Sequence, residues 1–142
     1  MKMDRETLRT GIPLIDHQHE EFFDRLDVLL QMTEAGHVER DRLKEEMDGL
    51  LTYAVEHFDA EESLMQSVHY PRYEEHCAKH SAFRDDADRW NADLSDRAAD
   101  LDLYSLRMVA WLQNWVCEQI LVDDRQLALF LKEGSRAAAR SA

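Results

Sequence analysis

The chain is poor in the residues that punctuate sheets and turns. It has four glycines and two prolines in 142 residues, while Leu, Ala, Glu, Asp and Arg abound, which favours long helices over many short strands. Its two cysteines, Cys77 and Cys117, form no CxxC pair, so a thiolate metal site is not expected and reduced thiols near the core are. No apolar run approaches the roughly 20 residues of a membrane span. The opening MKMDRETLRTG lacks the apolar centre of a signal peptide, so a cytoplasmic address is expected. Basic charge is scarce as well: 17 Lys and Arg against 30 Asp and Glu leave a net charge of −13. So acidic a surface repels nucleic-acid phosphates and anionic lipid, and neither is an expected partner. The length suits a single domain, residues 1–142, with one hydrophobic core.

What is present is helical periodicity, in four stretches. The first runs from about His17 to Glu34, with Asp16 as N-cap and Gly36 as stop, and a stripe of His19, Phe22, Leu26 and Leu29 or Leu30. The second runs from about Glu39 to Val68 with the stripe Leu43, Met47, Leu50, Ala54, His57, Glu61, Leu64, Val68, in steps of three and four as one helix face requires. Tyr70-Pro71 separates it from a third helix, about Arg72 to Ala92, striped by Tyr73, His76, His80, Phe83, Ala87 and Trp90. A polar stretch from Asp93 to Asp102 reads as a loop. The fourth helix spans about Leu103 to Lys132, with Leu106, Val109, Leu112, Val116, Gln119 or Ile120, Asp124, Leu127 and Phe130 or Leu131 inward. The core then covers about residues 10–132, and the tail, Ser135 to Ala142, has no apolar face and is expected to fray. Short connections between four amphipathic helices predict an all-α, antiparallel up-down bundle.

The inner faces are not purely apolar. His19, His57, Glu61, His76, His80, Gln119 and Asp124 stand where Leu or Ile would be expected. Burying one unpartnered polar group costs about 2–7 kcal/mol, and a charge more. The whole set would exceed a domain's net stability of about 5–15 kcal/mol, so these groups must satisfy one another or bind something together. Imidazole nitrogen and carboxylate oxygen without thiolate suit iron, manganese or zinc. His57 and Glu61 are four apart, as are His76 and His80, and His19 and Asp124 come from the other two helices. Every helix contributes inward, as in di-metal sites inside bundles, where two carboxylates bridge and histidines cap. Any one of these residues alone is unremarkable on a helix; it is their combination that points to metal. His17, His37 and His69 fall on an outer face, in a turn and at a helix end, and are expected in solvent. Glu62 lies one step off the inner face, and Trp90, Trp111 and Trp115 read as packing.

Five motifs carry a resemblance: Ile15-Asp16-His17-Gln18-His19, His57-Phe58-Asp59-Ala60-Glu61-Glu62-Ser63-Leu64-Met65, Tyr70-Pro71, His76-Cys77-Ala78-Lys79-His80 followed by Phe83, and Trp115 through Asp124. From about Thr10 to Leu131 the sequence resembles the hemerythrins, the bacterial ones above all. The resemblance implies a cofactor of two iron ions with an oxo or hydroxo bridge. His76 and His80 would bind one iron, His19 and His57 the other, and Glu61 and Asp124 both. It implies dioxygen, or a related diatomic or peroxide, as the ligand at the second iron.

Gln119 departs from the pattern, standing where the family has a fifth histidine. It can bind the iron of His76 and His80, leave that position to water, or leave it open. An amide is a weaker donor than imidazole, so metal affinity and reduction potential should change. Val116 stands where the family usually has Leu, giving slightly more room or simply packing the core. The pattern favours a binding protein for dioxygen storage, delivery or sensing over an enzyme. Gln119 raises the standing of an oxidase, peroxidase or nitric-oxide-handling reaction. A sensor domain of a signalling protein and a one-metal site are further readings.

Overall fold

A computed structural model describes residues 4–96 and 100–141. Among them all regular structure is helical. Helix α1 spans Pro13–Glu34, α2 Arg40–Ser67, α3 Tyr73–Asp96 and α4 Leu101–Glu118. A π-helical segment, Gln119–Asp124, follows without a break, and α5, Arg125–Ser141, continues it. The last three form one long fourth rod, so the fold is an antiparallel up-down four-helix bundle, with α1 against α2 and α4, and α2 against α3. The core is filled by Phe22, Phe23, Leu26, Leu29, Leu43, Met47, Leu50, Phe58, Phe83, Met108 and Leu112. A smaller cluster of Ile15, Met65, Tyr70 and Leu127 closes the other end. The buried polar side chains described below lie between the two.

Several boundaries differ from those read in the sequence. Helix α1 starts at Pro13, and Asp16 is not its cap. The Asp16 carboxylate turns back to accept bonds from the Thr10 and Gly11 amides and the Thr10 hydroxyl, at 2.7–3.0 Å, tying the incoming strand of chain to the helix. Gly36 does end α1, with the positive φ of +75° for which glycine is suited. The α2 end uses the same geometry without a glycine. His69 has φ +53°, the Tyr70 amide donates to the Met65 carbonyl and the His69 amide to that of Gln66, a Schellman arrangement.

The expected loop from Asp93 to Asp102 is largely helix. Asp93 to Asp96 belong to α3, and Asp100 caps α4 by accepting from the Leu103 amide. Only its centre, 97–99, lies outside the described residues. Gly134 does not stop the fourth rod, which continues as helix to Ser141 while Glu133 to Ala137 are exposed. The Arg-Ala-Ala-Ala-Arg run after Gly134 consists of good helix formers, which offsets one glycine; Ala142 lies outside the described residues. The inner stripes shift locally too. Leu106 is 53 % exposed, and Ser105 and Met108 take its place inside. Leu64 and Val68 are half-buried beside a fully buried Met65.

Candidate metal centre

His19, His57, Glu61, His76, His80, Gln119 and Asp124 are all buried and meet between the helices. His19 comes from α1, His57 and Glu61 from successive turns of α2, and His76 and His80 from successive turns of α3, since residues four apart share a helix face. Gln119 and Asp124 are five apart, which in an α-helix would set them about 140° from each other. The π segment they bound has hydrogen bonds spanning five residues instead of four, and this extra residue per turn brings both ends to the same side.

Each carboxylate divides its oxygens between two histidine pairs. Asp124 Oδ2 lies 2.7 Å from His19 Nε2 and Asp124 Oδ1 lies 3.1 Å from His76 Nε2. Glu61 Oε1 contacts His76 Nε2 and lies 3.3 Å from His80 Nε2, while Glu61 Oε2 lies 3.4 Å from His57 Nε2. Two donor groups of metal-coordinating size result, His19, His57, Glu61 and Asp124 on one side and Glu61, His76 and His80 on the other, sharing Glu61. Gln119 lies against the second group: its amide nitrogen stands 2.9 Å from His76 Nε2, 3.1 Å from His80 Nε2 and 3.4 Å from Asp124 Oδ1.

Outer contacts fix how the rings face. His57 Nδ1 donates to Gln18 Oε1 at 2.7 Å, and His80 Nδ1 to Glu62 Oε1 at 3.2 Å. Each ring therefore turns its Nε2 lone pair inward, the role that outer partners play for metal-binding histidines. Burial disfavours the charged form of His57 and lowers its pKa, against the pull of Glu61. A buried neutral nitrogen then faces a buried carboxylate oxygen, Glu61 Oε2, with no hydrogen between them, and Glu61 Oε2 has no hydrogen-bond partner. Two opposed acceptors in a dry interior are unfavourable unless a cation joins them. The donor set thus fits a metal. Elsewhere in the cluster, burial works against charge on His76, but the hydrogen bonds it donates to the Asp124 and Glu61 carboxylates overcome this and push His76 up to about 10. Burial also opposes ionisation of Asp124, yet His19 and His76 hold it well below its ordinary value.

Gln18 and Glu62 were not picked out as functional in the sequence, although both sit inside the motifs quoted above. Lys79 and Asp123 were also missed; they pair at 2.6 Å beside the site and clip the π segment to α3. His17, His37 and His69 are exposed, as expected. Phe58 lies flat on His80 with ring centroids 4.0 Å apart. Against the His19 and His57 side is a cavity of about 10 Å3, lined by Phe22, Phe58, Trp115, Val116 and Ile120, room for roughly one water-sized molecule.

A four-helix bundle with a buried cluster of histidines and carboxylates capable of holding metal defines the class. The Hemerythrin HHE cation binding domain matches residues 10–130, and the chain belongs to the hemerythrin family. It is 26 % identical over 124 residues to a bacteriohemerythrin of Clostridium acetobutylicum, covering 86 % of this chain and 95 % of that one. It is 30 % identical over 118 residues to hemerythrin subunit 1 of Golfingia vulgaris, covering 83 % and 82 %. A crystal structure of wild-type hemerythrin superposes with a TM-score of 0.77 at 22 % identity, over 90 % of this chain and 95 % of that one, a likeness of fold. No helix among the described residues is long and apolar enough to cross a membrane.

Proposed function

We propose that this chain is a single-domain, non-haem di-iron protein that binds dioxygen or a similarly small ligand. The observation that carries the reading is the pair of carboxylates, each facing both histidine pairs, with His57 Nε2 and Glu61 Oε2 set acceptor against acceptor. In this reading His19 and His57 hold one iron, His76 and His80 the other, and Glu61 and Asp124 span them. Bound iron would supply reversible one-electron chemistry. The protein's own part is to fix the donors, through Gln18 and Glu62, and to keep the site dry. Phe22, Phe58, Val116 and Ile120 wall the small cavity on the His19 side, which suits a ligand of a few atoms. A metal count with absorption spectra taken anaerobically, in air and again under vacuum tests the reading. Two irons per chain and a band that appears in air and reverses under vacuum are expected. Absence of bound iron, or a spectrum indifferent to air, overturns it.

A second reading, turnover of peroxide or nitric oxide, is favoured by Gln119. Its amide nitrogen stands against His76 and His80 and has no lone pair for a metal; turned over, the amide would offer iron an oxygen, a weaker donor than imidazole. Replacing it, Gln119→His, is expected to tighten iron binding and slow oxidation of the reduced protein in air. Equal rates in the two proteins refute a role for the amide.

A further inference from the structure

All three tryptophans of the chain, each partly buried, lie along one file of rings that runs from the candidate metal centre to an open groove. Phe58 stacks on His80 and meets Trp115 at 5.5 Å between ring centroids. Trp115 also lines the cavity beside His19, His57, Gln119 and Asp124. Phe83 then lies 4.2 Å from Trp115 and stacks on Trp111 at 5.2 Å, with the planes 12° apart. Trp90 follows Trp111 at 6.0 Å, and Tyr104 meets Trp90 at 5.2 Å. At the far end Trp90 and Trp111 border an open groove with Asp86, Arg89 and Asp93. Core packing alone asks only for apolar bulk, which Leu or Phe supplies without an indole N–H to satisfy. Indoles are also among the side chains whose ring electrons are most easily removed. A file of three of them, bridged by Phe58 and Phe83, that runs from a redox-capable site to an open groove is suited to moving charge.

We propose that Trp115, Trp111 and Trp90 form an electron-transfer ladder that carries oxidising equivalents from the metal site to the groove at Trp90. The proposal rests on the di-iron reading above. Hydrogen peroxide is the oxidant; it takes two electrons and two solvent protons, its O–O bond breaks, and two waters leave. Electrons drawn from the ladder move singly. Trp115 gives one toward the site, Trp111 refills Trp115, and Trp90 refills Trp111. A small one-electron reductant in solvent, such as ascorbate, refills Trp90. Each indole carries the hole as a radical cation and keeps its N–H proton, so no proton travels along the ladder. Where reductant is absent, Trp90 at the groove supplies both electrons in turn, adds the oxygen of a solvent water and releases two protons, so that hydroxytryptophan remains.

The test uses the full chain, iron-loaded and iron-free, each mixed with hydrogen peroxide, with oxidised tryptophans mapped by peptide mass spectrometry. Iron content and circular dichroism are measured on the same samples. Oxidation at Trp90 and Trp111 is expected only with iron, and added ascorbate should suppress it. Trp111→Phe should lower the Trp90 product several-fold and raise that at Trp115; Trp90→Phe should raise the products at Trp111 and Trp115. Trp90 oxidation that is equal with and without iron, or unchanged by Trp111→Phe at equal iron content, overturns the ladder and leaves the di-iron reading intact. A chain that takes up no iron overturns both.

Discussion

Replacing Gln18 by Leu removes the acceptor that holds the His57 ring while leaving every proposed metal ligand in place. Gln18 Oε1 receives the His57 Nδ1 proton at 2.7 Å, and His57 is buried. Two costs follow. In the metal-free chain a buried N–H loses its partner, worth about 1–3 kcal/mol of folding stability. In the loaded chain the ring loses the contact that presents Nε2 inward, and such outer contacts are worth roughly 10–100-fold in metal affinity. The Tyr53 hydroxyl still donates to the Gln18 backbone carbonyl at 2.9 Å, so helix packing survives and the two effects can be separated. Glu62→Ala provides the comparison. Its bond to His80 is longer, 3.2 Å, and the Glu62 side chain is 22 % exposed, so water can replace it and a smaller loss is expected. Cobalt(II) or iron(II) titration under anaerobic conditions gives the affinities, and urea unfolding of the metal-free proteins gives the stabilities. Undiminished affinity in Gln18→Leu, or a larger loss in Glu62→Ala, refutes the claim that Gln18 orients His57 for metal.

Other outcomes follow from single contacts. His69→Gly relieves a non-glycine residue at φ +53° and should stabilise the fold by about 1 kcal/mol, seen as a rise in melting temperature of a few degrees. In the metal-free chain His76 is raised to about 10 from 6.5, so its contribution is complete below about 6.5 and lost as pH climbs through about 10. Asp124 is depressed from 3.8, so its contribution is present above 3.8 and lost as pH falls through its lowered value. Urea midpoints of the metal-free chain should therefore fall between pH 7 and about 10, whereas metal affinity over the same range should rise, because binding must displace the His76 proton. A midpoint that rises over that range contradicts the account of His76.

The middle of each helix was legible because burial repeats every three to four residues, and the candidate ligands stood out as polar groups on otherwise apolar stripes. The ends were less so. Asp16 is a good N-cap type at a place where the chain instead needs an anchor for Thr10 and Gly11. Leu106 and Ser105 compete for one inward position, and packing, not hydropathy, gives it to the smaller Ser105. Gln18 and Glu62 act sideways, across to a neighbouring helix, where periodicity carries no signal. The π segment had a signal that periodicity alone obscured: Gln119 and Asp124, five apart, were both assigned to one face, and only a wider turn puts them there. The alternative of Ile120 as the inward residue also proves compatible with Gln119, since the widened turn buries both.

Because Glu61 and Asp124 each spread two oxygens over both histidine pairs, the halves of the centre do not have separate fates. Loss of a histidine injures one neighbourhood, but loss of either acid withdraws a donor from both at once. Substitution should thus be tolerated unevenly: an exchange on the imidazole rim disturbs one side, while the two acids at its waist carry a double obligation.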